Sequence, residues 1–325
     1  MISYTRFCLL LTLTVSIVLC SGAAFAAPLE HQTEDSSAPV VFMTADISPR
    51  GLMAIYEALN WTPSGRVAVK ISTGEPPASN YLRPELIKDL VQHVNGTIVE
   101  CNTTYGGSRA ETAMHKQVAE DHGFTAIAPF DIMDEEGSIE LPVKNGKNLK
   151  GNLVGSHFKN YGSFLILSHF KGHAMAGFGG AIKNVSIGIG SSTGKCRIHS
   201  GGRSDTSPWG WDQDPFTETM AEACKSVSDA LDNGKRITYI NVMNRLSIDC
   251  DCDGNPAEPD IHDIGILGSN DPVALDQACV DLINVAEGNE SFVRRMKQKN
   301  AVHVLEHGAE IGLGSRTYEL VNLDG

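Results

Sequence analysis

The residues best suited to chemistry lie in a glycine-rich stretch with basic side chains, residues 172–202. It reads GHAMAGFGGAIKNVSIGIGSSTGKCRIHSGG and contains nine glycines. It follows the apolar run 163–168 closely, and active groups of open α/β sheets gather at the carboxyl ends of strands. Backbone amides in glycine turns can approach a ligand and bind anions. The stretch therefore predicts a cofactor or metal site; the alternative is a tight turn with exposed basic side chains.

Several side chains of this stretch are candidates for that site. Lys183 is suited to act as a point charge or as an amine nucleophile, and it is a candidate for catalysis and for cofactor binding. Imidazole moves protons and binds metals, so His173 and His199 are catalytic candidates and His199 is also a metal candidate. The remaining candidates are a further metal ligand and two glycines expected to contact a cofactor, namely His169, Gly179 and Gly180.

Two other strand–loop–helix segments could bind an anion. In CNTTYGGSRAETAMHK, residues 101–116, a glycine turn precedes a helix N-terminus, which favours phosphate or carboxylate. The guanidinium of Arg109 could fork such an anion. In residues 70–90, Lys70 is expected to point from a strand end into the same crevice. A capped loop and a solvated loop are the alternatives. The cofactor-binding candidates from these segments are Lys70, Gly106, Gly107 and Arg109.

An acidic loop, SIDCDCDGNPAEPD at residues 247–260, carries two cysteines. Cys250 and Cys252 are two positions apart, on one side of an extended chain, and could clamp a soft metal ion or an iron–sulfur cluster. The chain contains no CxxC, so a strong four-cysteine metal pattern is missing. The alternative is that the two cysteines form a disulfide or remain free thiols. The aspartates also fit part of a calcium loop, whose geometry Pro256 and Pro259 would disrupt.

A last candidate lies in the segment 262–283. Asp271 precedes a proline and is expected to cap the following helix. Asp276 lies one turn further on and is a site candidate, against the alternative of capping or solvation.

Alternating strand and helix patterns must position these residues. That alternation predicts an α/β fold with mostly parallel sheets and flanking helices, and the length allows two lobes with a crevice between them. The predicted strands are 40–43, 66–71, 97–100, 126–128, 153–154, 163–168, 237–242 and 264–267, and the predicted helices are 48–59, 84–94, 111–121, 216–231, 273–286 and 291–307.

Residues 1–26 have the features of a signal peptide: Arg6, an apolar run and a small-residue cleavage site at 24–26. We expect an exported protein, periplasmic or extracellular after cleavage, with a disordered linker at 27–38 and the α/β domain at 39–325. The formal charge of −13 argues against nucleic acid and anionic membrane surfaces. A second apolar stretch long enough for stable membrane insertion is not found in the sequence. Cys224 and Cys279 lie in helix-like contexts and are expected to be buried.

Six motifs make the chain similar to the bacterial and archaeal family catalogued as domain of unknown function 362. The most specific is SHFKGHAMAGFGGAIKNVSIGIGS, residues 168–191. Many members carry ferredoxin-like cysteine clusters after the HS motif, whereas residues 201–220 contain no cysteine here. This departure removes the usual argument for a ferredoxin-type cluster. The other matching segments are 100–109, 194–200, 250–252, 263–278 and 312–320.

The glycine-rich stretch resembles, more distantly, the lactate racemase family, which uses a nickel-pincer nucleotide. His173, the run GFGG, Lys183 and His199 occur in that family's order. In that family the lysine carries the cofactor covalently and the later histidine binds nickel. The resemblance implies hydride removal and return at a hydroxy-acid carbon, and it indicates a shared site position rather than a shared cofactor.

These observations lead to two functional hypotheses. The first is a cofactor- or metal-dependent enzyme of redox or isomerase type that acts on a small anionic molecule held by Arg109. Nickel, iron or an iron–sulfur cluster are the candidate metals. The alternative is a non-catalytic periplasmic metal or iron–sulfur binding protein, or a redox accessory with a partner protein, using Cys250 and Cys252.

Overall fold

A computed structural model describes residues 29–325 of the chain, so the predicted signal peptide lies outside the described residues. The strands are β1 (Val40–Thr44), β2 (Val67–Lys70), β3 (Gly96–Glu100), β4 (Phe130–Ile132), β5 (Ser138–Pro142), β6 (Gly151–Gly155), β7 (Ser163–His169), β8 (Lys171–His173), β9 (Gly177–Gly179), β10 (Ile237–Met243), β11 (Gly265–Ser269) and β12 (Glu319–Asn322). The helices are α1 (Pro49–Ala58), α2 (Pro84–His93), α3 (Thr112–Asp121), α4 (Ala181–Ile189), α5 (Ser192–His199), α6 (Gln213–Ala230), α7 (Pro272–Val285), α8 (Glu290–Gln298) and α9 (His303–Glu310).

The architecture is built on an eight-stranded sheet in the order β12-β1-β11-β10-β7-β2-β3-β4. Strand β11 runs antiparallel to both of its neighbours, and the other pairings are parallel. Two small antiparallel hairpins, β5–β6 and β8–β9, lie outside this sheet. The predicted α/β class with a mostly parallel sheet is confirmed, and the division into two lobes stays a prediction.

The sheet is buried on both faces. Along β7, Phe164 and Ile166 belong to one hydrophobic cluster, which includes residues of α4, α6 and α7. Leu165 and Leu167 belong to a second cluster with residues of α1 and α2. Side chains alternate between the faces of a strand, so a central strand covered on both faces reads as a continuous apolar run. That is why SFLILS predicts a buried strand.

Three predicted elements differ from the observed ones. The predicted strand 126–128 is wrong, because Phe124–Ala126 form a 3-10 turn and β4 begins at Phe130. The predicted helix 291–307 is two helices, separated where Asn300 adopts a left-handed conformation with φ 44°. Helices α4 and α5 were not predicted, because their glycines indicate turns.

Residues 29–33 of the predicted linker contact the C-terminal part of the domain. Leu29 is buried, and the backbone of Gln32 pairs with that of Tyr318. The His31 side chain contacts the carboxylate of Asp281 at 3.1 Å. Residues 29–33 are therefore held by the C-terminal part of the chain rather than disordered. Within residues 29–325, none of the helices combines the length and apolar character needed to cross a membrane.

Candidate functional site

A polar cavity of about 60 Å³ lies where β2, β3 and β7 end. These three strands are parallel neighbours, so their carboxyl ends meet at one edge of the sheet. The volume suits a few water molecules or the charged group of a small ligand. Two acidic residues line the cavity, Glu100 and Asp251. Five basic residues line it too: Lys70, Arg109, Lys171, Lys183 and Lys195.

Lys70 and Glu100, at the ends of β2 and β3, form a buried ion pair at 2.8 Å. The Lys70 ammonium also donates to the carbonyl of Ile71 and, at 3.0 Å, to Asn184. Burial lowers the pKa of Lys70. Burial by itself would raise the pKa of Glu100, but the positive charge of Lys70 outweighs this effect, and the pKa of Glu100 is about 2. All three ammonium hydrogens have protein acceptors, so Lys70 has no hydrogen-bond donor left for a ligand. It contributes its positive charge to the electrostatic potential of the cavity.

The anion site predicted in residues 101–116 is filled by the chain itself. The Glu75 carboxylate accepts the backbone N–H of Ser108 and, at 3.1 Å, the Nε–H of Arg109. Gly106 and Gly107 have left-handed φ values of 84° and 87°, and they do not line the cavity. A Cβ at Gly107 would lie 2.7 Å from the Glu75 carboxylate. These glycines therefore shape a loop around an internal carboxylate.

His169 does not fit the predicted role of metal ligand. Its Nδ1 lies 2.8 Å from a carboxylate oxygen of Asp251, and its Nε2 lies 2.7 Å from the carbonyl oxygen of Asn244. Both ring nitrogens face oxygen acceptors, so neither lone pair is directed at a metal. The other carboxylate oxygen of Asp251 accepts from Lys171 at 2.8 Å. Burial opposes ionisation of Asp251, but Lys171 and His169 hold its pKa far below the ordinary range.

Lys183, on the first turn of α4, differs from the other cavity lysines. Lys195 donates to the carbonyls of Gly190, at 2.7 Å, and Cys101, at 3.3 Å. Within residues 29–325, the Lys183 ammonium has neither a hydrogen-bond acceptor nor an ion-pair partner in the protein. Burial, together with the charge of Lys171, lowers the pKa of Lys183 to about 7. A substantial fraction of this amine is therefore neutral at physiological pH.

The two predicted catalytic histidines lie outside the cavity lining and carry their protons differently. His173 Nδ1 accepts the backbone N–H groups of Met175 and Ala176, at 3.1 and 2.9 Å, so the proton of the neutral ring is on Nε2. His199 Nδ1 instead donates to the carbonyl of Lys195 at 2.7 Å, which leaves the Nε2 lone pair free.

Both rings are neutral at physiological pH. Burial and the charges of Lys183 and His199 hold the pKa of His173 well below its ordinary value. Burial lowers the pKa of His199 to about 4, although the bond to the Lys195 carbonyl opposes this shift. The His199 ring stacks on Phe216 with 4.9 Å between centroids. His199 is therefore arranged as an acceptor or ligand, and His173 as a hydrogen-bond donor.

Cys250 and Cys252 line the cavity and are joined in a disulfide. A nitrogen of His173 and the two sulfurs lie within 4.8 Å of one another, the spacing of a possible metal group. The sulfurs become thiolate ligands only after reduction, and the tautomer of His173 leaves no lone pair on its Nε2. Metal binding by the cysteines stays a prediction for the reduced protein. The other cysteines of residues 29–325 are free and buried, as expected for Cys224 and Cys279.

Gly179 and Gly180 line the cavity beside Lys183, and their contact with a cofactor stays a prediction. A Cβ at Gly179 would lie 3.1 Å from the Lys183 side chain, and one at Gly180 would lie 2.3 Å from Asp276 Oδ1. Asp276, a predicted site candidate, does not line the cavity, because its carboxylate caps α4. Asp271 caps α7 as expected.

Sequence reasoning missed Glu100, Lys171 and Asp251 as cavity residues. Glu100 ends a predicted strand and Lys171 comes three positions after the end of another, so the rule that sites gather at strand ends could have found both. Asp251 lies between the two cysteines, in a segment whose pattern indicates a soft-metal or calcium site rather than a carboxylate that lines a cavity.

Fold and site together define an α/β protein with a cationic cavity at the carboxyl edge of its parallel strands. The chain belongs to the family described as domain of unknown function (DUF362), whose model matches residues 67–281. No curated protein matches the chain.

Two solved structures are similar to it in part. One is the lactate racemase apoprotein from Thermoanaerobacterium thermosaccharolyticum, with a TM-score of 0.37, 13% identity and coverage of 62% of this chain and 50% of that one. The other is a Thermotoga maritima protein from a structural genomics consortium, with a TM-score of 0.36, 13% identity and coverage of 81% and 58%. The chain thus spans between half and three fifths of the length of these structures.

Proposed function

We propose that this protein is a cofactor- or metal-dependent enzyme, of redox or isomerase type, that acts on a small anionic molecule. The observation that carries the proposal is the Lys183 amine, which has a pKa of about 7 and no protein acceptor within residues 29–325. An amine in this state is both a nucleophile and a hydrogen-bond donor for an anion. Strongly perturbed groups in a cleft are typical of functional sites.

The unused hydrogen-bond donors of the cavity indicate an anionic ligand. An ammonium group has three donors, of which Lys171 uses one and Lys195 uses two in the protein. Lys183 keeps all three when it is protonated. These donors converge on one small cavity in a chain whose formal charge is −13. A carboxylate or phosphate group would satisfy them with charge-assisted hydrogen bonds.

The lactate racemase family uses a nickel-bearing cofactor, and the residues of this chain would fit such a group in part. His199 offers an Nε2 lone pair, fixed by its Nδ1–H bond to a carbonyl, as metal-binding histidines are in other proteins. Lys183 offers a neutral amine for attachment. His173 does not fit as a ligand, but its Nε2–H can donate a hydrogen bond to a substrate or cofactor oxygen. A bound cofactor of this kind would supply a hydride acceptor.

A second candidate function is metal or iron–sulfur binding without catalysis, and the closeness of the Cys250 and Cys252 sulfurs at the cavity favours it. It requires reduced cysteines. We also propose export of the chain through residues 1–26, with the mature protein in the periplasm or outside the cell and a redox protein as possible partner. Amino-terminal sequencing of protein from the native host tests the cleavage after residue 26.

The decisive test combines composition with ligand binding. Protein from its native host is examined by elemental analysis, absorption spectroscopy and intact mass. Nickel, or a mass added to the Lys183 peptide, supports the enzyme; iron with sulfide supports the metal-binding alternative.

Calorimetric titration then uses lactate and phosphate as probes. Loss of a charge-assisted hydrogen bond in Lys183→Gln is expected to weaken binding about tenfold or more. The exposed helix variant Lys88→Gln is the matched control and keeps the wild-type affinity. Equal affinities in all three proteins would contradict an anion site at Lys183.

A further inference from the structure

We propose that Cys250 and Cys252 form a redox-active couple that exchanges with small anionic thiols admitted by the cationic cavity. The proposal goes beyond the amine chemistry of Lys183: the reacting atoms are the two sulfurs, and Lys183 contributes only to the selection of the thiol. Its readout is the redox state of the two sulfurs, so its failure leaves the tests of anion binding and of Lys183 intact.

The first support is the short loop that the disulfide closes. The two cysteines are separated by two positions in the sequence. A disulfide stabilises a fold mainly by restricting the unfolded chain, and the effect grows with the length of the closed loop. So short a loop restricts the chain very little. The segment is instead held by other contacts: Asp251 binds His169 and Lys171, and its backbone carbonyl accepts the N–H of Glu75 at 2.7 Å.

The second support is access. Both sulfur-bearing residues line the cavity, and Cys252 is partly exposed whereas Cys250 is buried. The other four cysteines of residues 29–325 are buried and free. An incoming thiolate therefore reaches Cys252 Sγ from the cavity, and Cys250 is the leaving sulfur.

The third support is a backbone hydrogen bond that stabilises the leaving thiolate. The backbone N–H of Cys252 donates to Cys250 Sγ at 3.3 Å. Hydrogen bonds to a thiolate lower its pKa and make it a better leaving group.

The reaction balances with two equivalents of thiol. The first thiolate attacks Cys252 Sγ, the bond between Cys250 and Cys252 breaks, and Cys250 leaves as a thiolate. A second thiolate attacks the external sulfur of the mixed disulfide and releases Cys252. Two electrons pass to the protein, the external thiols end as a disulfide, and their two protons end on the cysteines. The basic lining, which includes Arg109, Lys171 and Lys195, selects reductants that carry a carboxylate, and the protonated fraction of Lys183 adds to this selection.

The test compares three thiols on the folded protein: 3-mercaptopropionate, 2-mercaptoethanol and cysteamine, which are anionic, neutral and cationic. Reduction is followed by rapid alkylation and mass spectrometry of the peptide that contains residues 250–252. Each rate is divided by that for a small uncharged disulfide, which removes differences in intrinsic thiol reactivity. We expect the normalised rate for the anionic thiol to exceed that for the neutral one about tenfold at low salt, and cysteamine to be slowest.

Lys183→Gln should reduce that preference several-fold, and the exposed control Lys88→Gln should retain it. High salt should reduce it as well, because added ions screen the lysine charges. The double variant Cys250→Ser with Cys252→Ser should show no thiol-dependent alkylation in this peptide.

Two outcomes of the thiol comparison would overturn the proposal, and a third comes from the stability of the reduced protein. One is a disulfide that resists all three thiols in the folded protein but is reduced after denaturation. The other is the same order of thiols as for the small disulfide. Thermal unfolding of the reduced wild type provides a check that does not depend on a variant. A reduced protein that unfolds at room temperature would assign the bond a structural role instead.

Discussion

Asp276 Oδ1 lies 2.8 Å from the backbone nitrogen of Ala181, 95 positions earlier in the chain. The second carboxylate oxygen accepts the N–H of Ile182 at 3.0 Å, and Asn241 donates to Oδ1 at 2.7 Å. Helix α4 begins at a glycine with no side chain to cap it, so a carboxylate from α7 performs that role. Lys183 lies on the first turn of α4, and its position therefore depends on Asp276.

We expect Asp276→Asn to destabilise the protein by about 1–3 kcal/mol. Three N–H donors converge on the two oxygens of the carboxylate. The amide of asparagine has only one acceptor oxygen, and its NH2 group would face a backbone N–H that then has no acceptor. Urea unfolding measures the change in the free energy of unfolding. The exposed aspartate variant Asp89→Asn, on α2, should stay within about 0.5 kcal/mol of wild type.

The Lys183 amine should react with an aldehyde and cyanoborohydride before the surface lysines do. Its pKa is about 7, below the ordinary 10.5, so the reactive neutral form appears as pH rises through 7 and levels off near pH 8. Surface lysines gain reactivity only as pH approaches their ordinary pKa of about 10.4. Peptide mass spectrometry gives the rates. Reactivity of Lys183 equal to that of Lys88 at pH 7 would contradict the lowered pKa.

Glu100→Gln should be among the most destabilising single substitutions at this site, by about 3–5 kcal/mol. It leaves the buried Lys70 ammonium without its carboxylate. Replacing both residues, as Lys70→Met with Glu100→Leu, should recover part of the loss, because the uncompensated charge is then absent. Thermal unfolding of the two variants measures whether the double substitution is more stable than the single one. A double variant less stable than the single one would show that the pair itself is favourable.

The same pair predicts how stability depends on pH. The pKa of Glu100 falls from 4.5 to about 2 on folding, so the unfolded chain binds the proton first as pH falls. The contribution is complete above pH 4.5 and is lost between pH 4.5 and 2. Chemical unfolding at stepped pH should show a smaller acid-dependent loss in Glu100→Gln than in wild type. Parallel curves would assign the acid sensitivity to other groups.

If the protein holds a metal, His199→Ala should lose it and His169→Gln should keep it. His199 has a free Nε2 lone pair, whereas both nitrogens of His169 face oxygen acceptors. Elemental analysis of the two variants, purified alongside wild type, gives the metal content per chain. Loss of metal from His169→Gln alone would place the ligands in the loop of Asp251 rather than near α5.

The sequence by itself determined the α/β class and most elements of the central sheet. Runs such as SFLILS and ITYINV are apolar throughout because both faces of β7 and β10 are covered. It also placed Lys183, Gly179 and Gly180 at one site, since they closely follow β7 and sites gather where parallel strands end. The cap at Asp271 was equally readable, because the capping bond spans only two or three residues.

Only the tertiary structure decided how the charged groups pair. The Glu75 carboxylate lies in the predicted anion-binding loop, where it accepts a hydrogen bond from a residue 33 positions away. The carboxylate of Asp251 contacts the ring of His169, 82 positions earlier in the chain. Helix α4 continues through Gly188, where the absence of a side chain leaves room for Lys70. A Cβ at this position would lie 2.6 Å from the end of the Lys70 side chain. Local propensity predicts a turn there, and packing overrides it. Contacts between groups far apart in sequence leave no local pattern. Only the folded structure therefore distinguishes Lys183, which has no ion-pair partner within residues 29–325, from the neighbouring lysines that are paired.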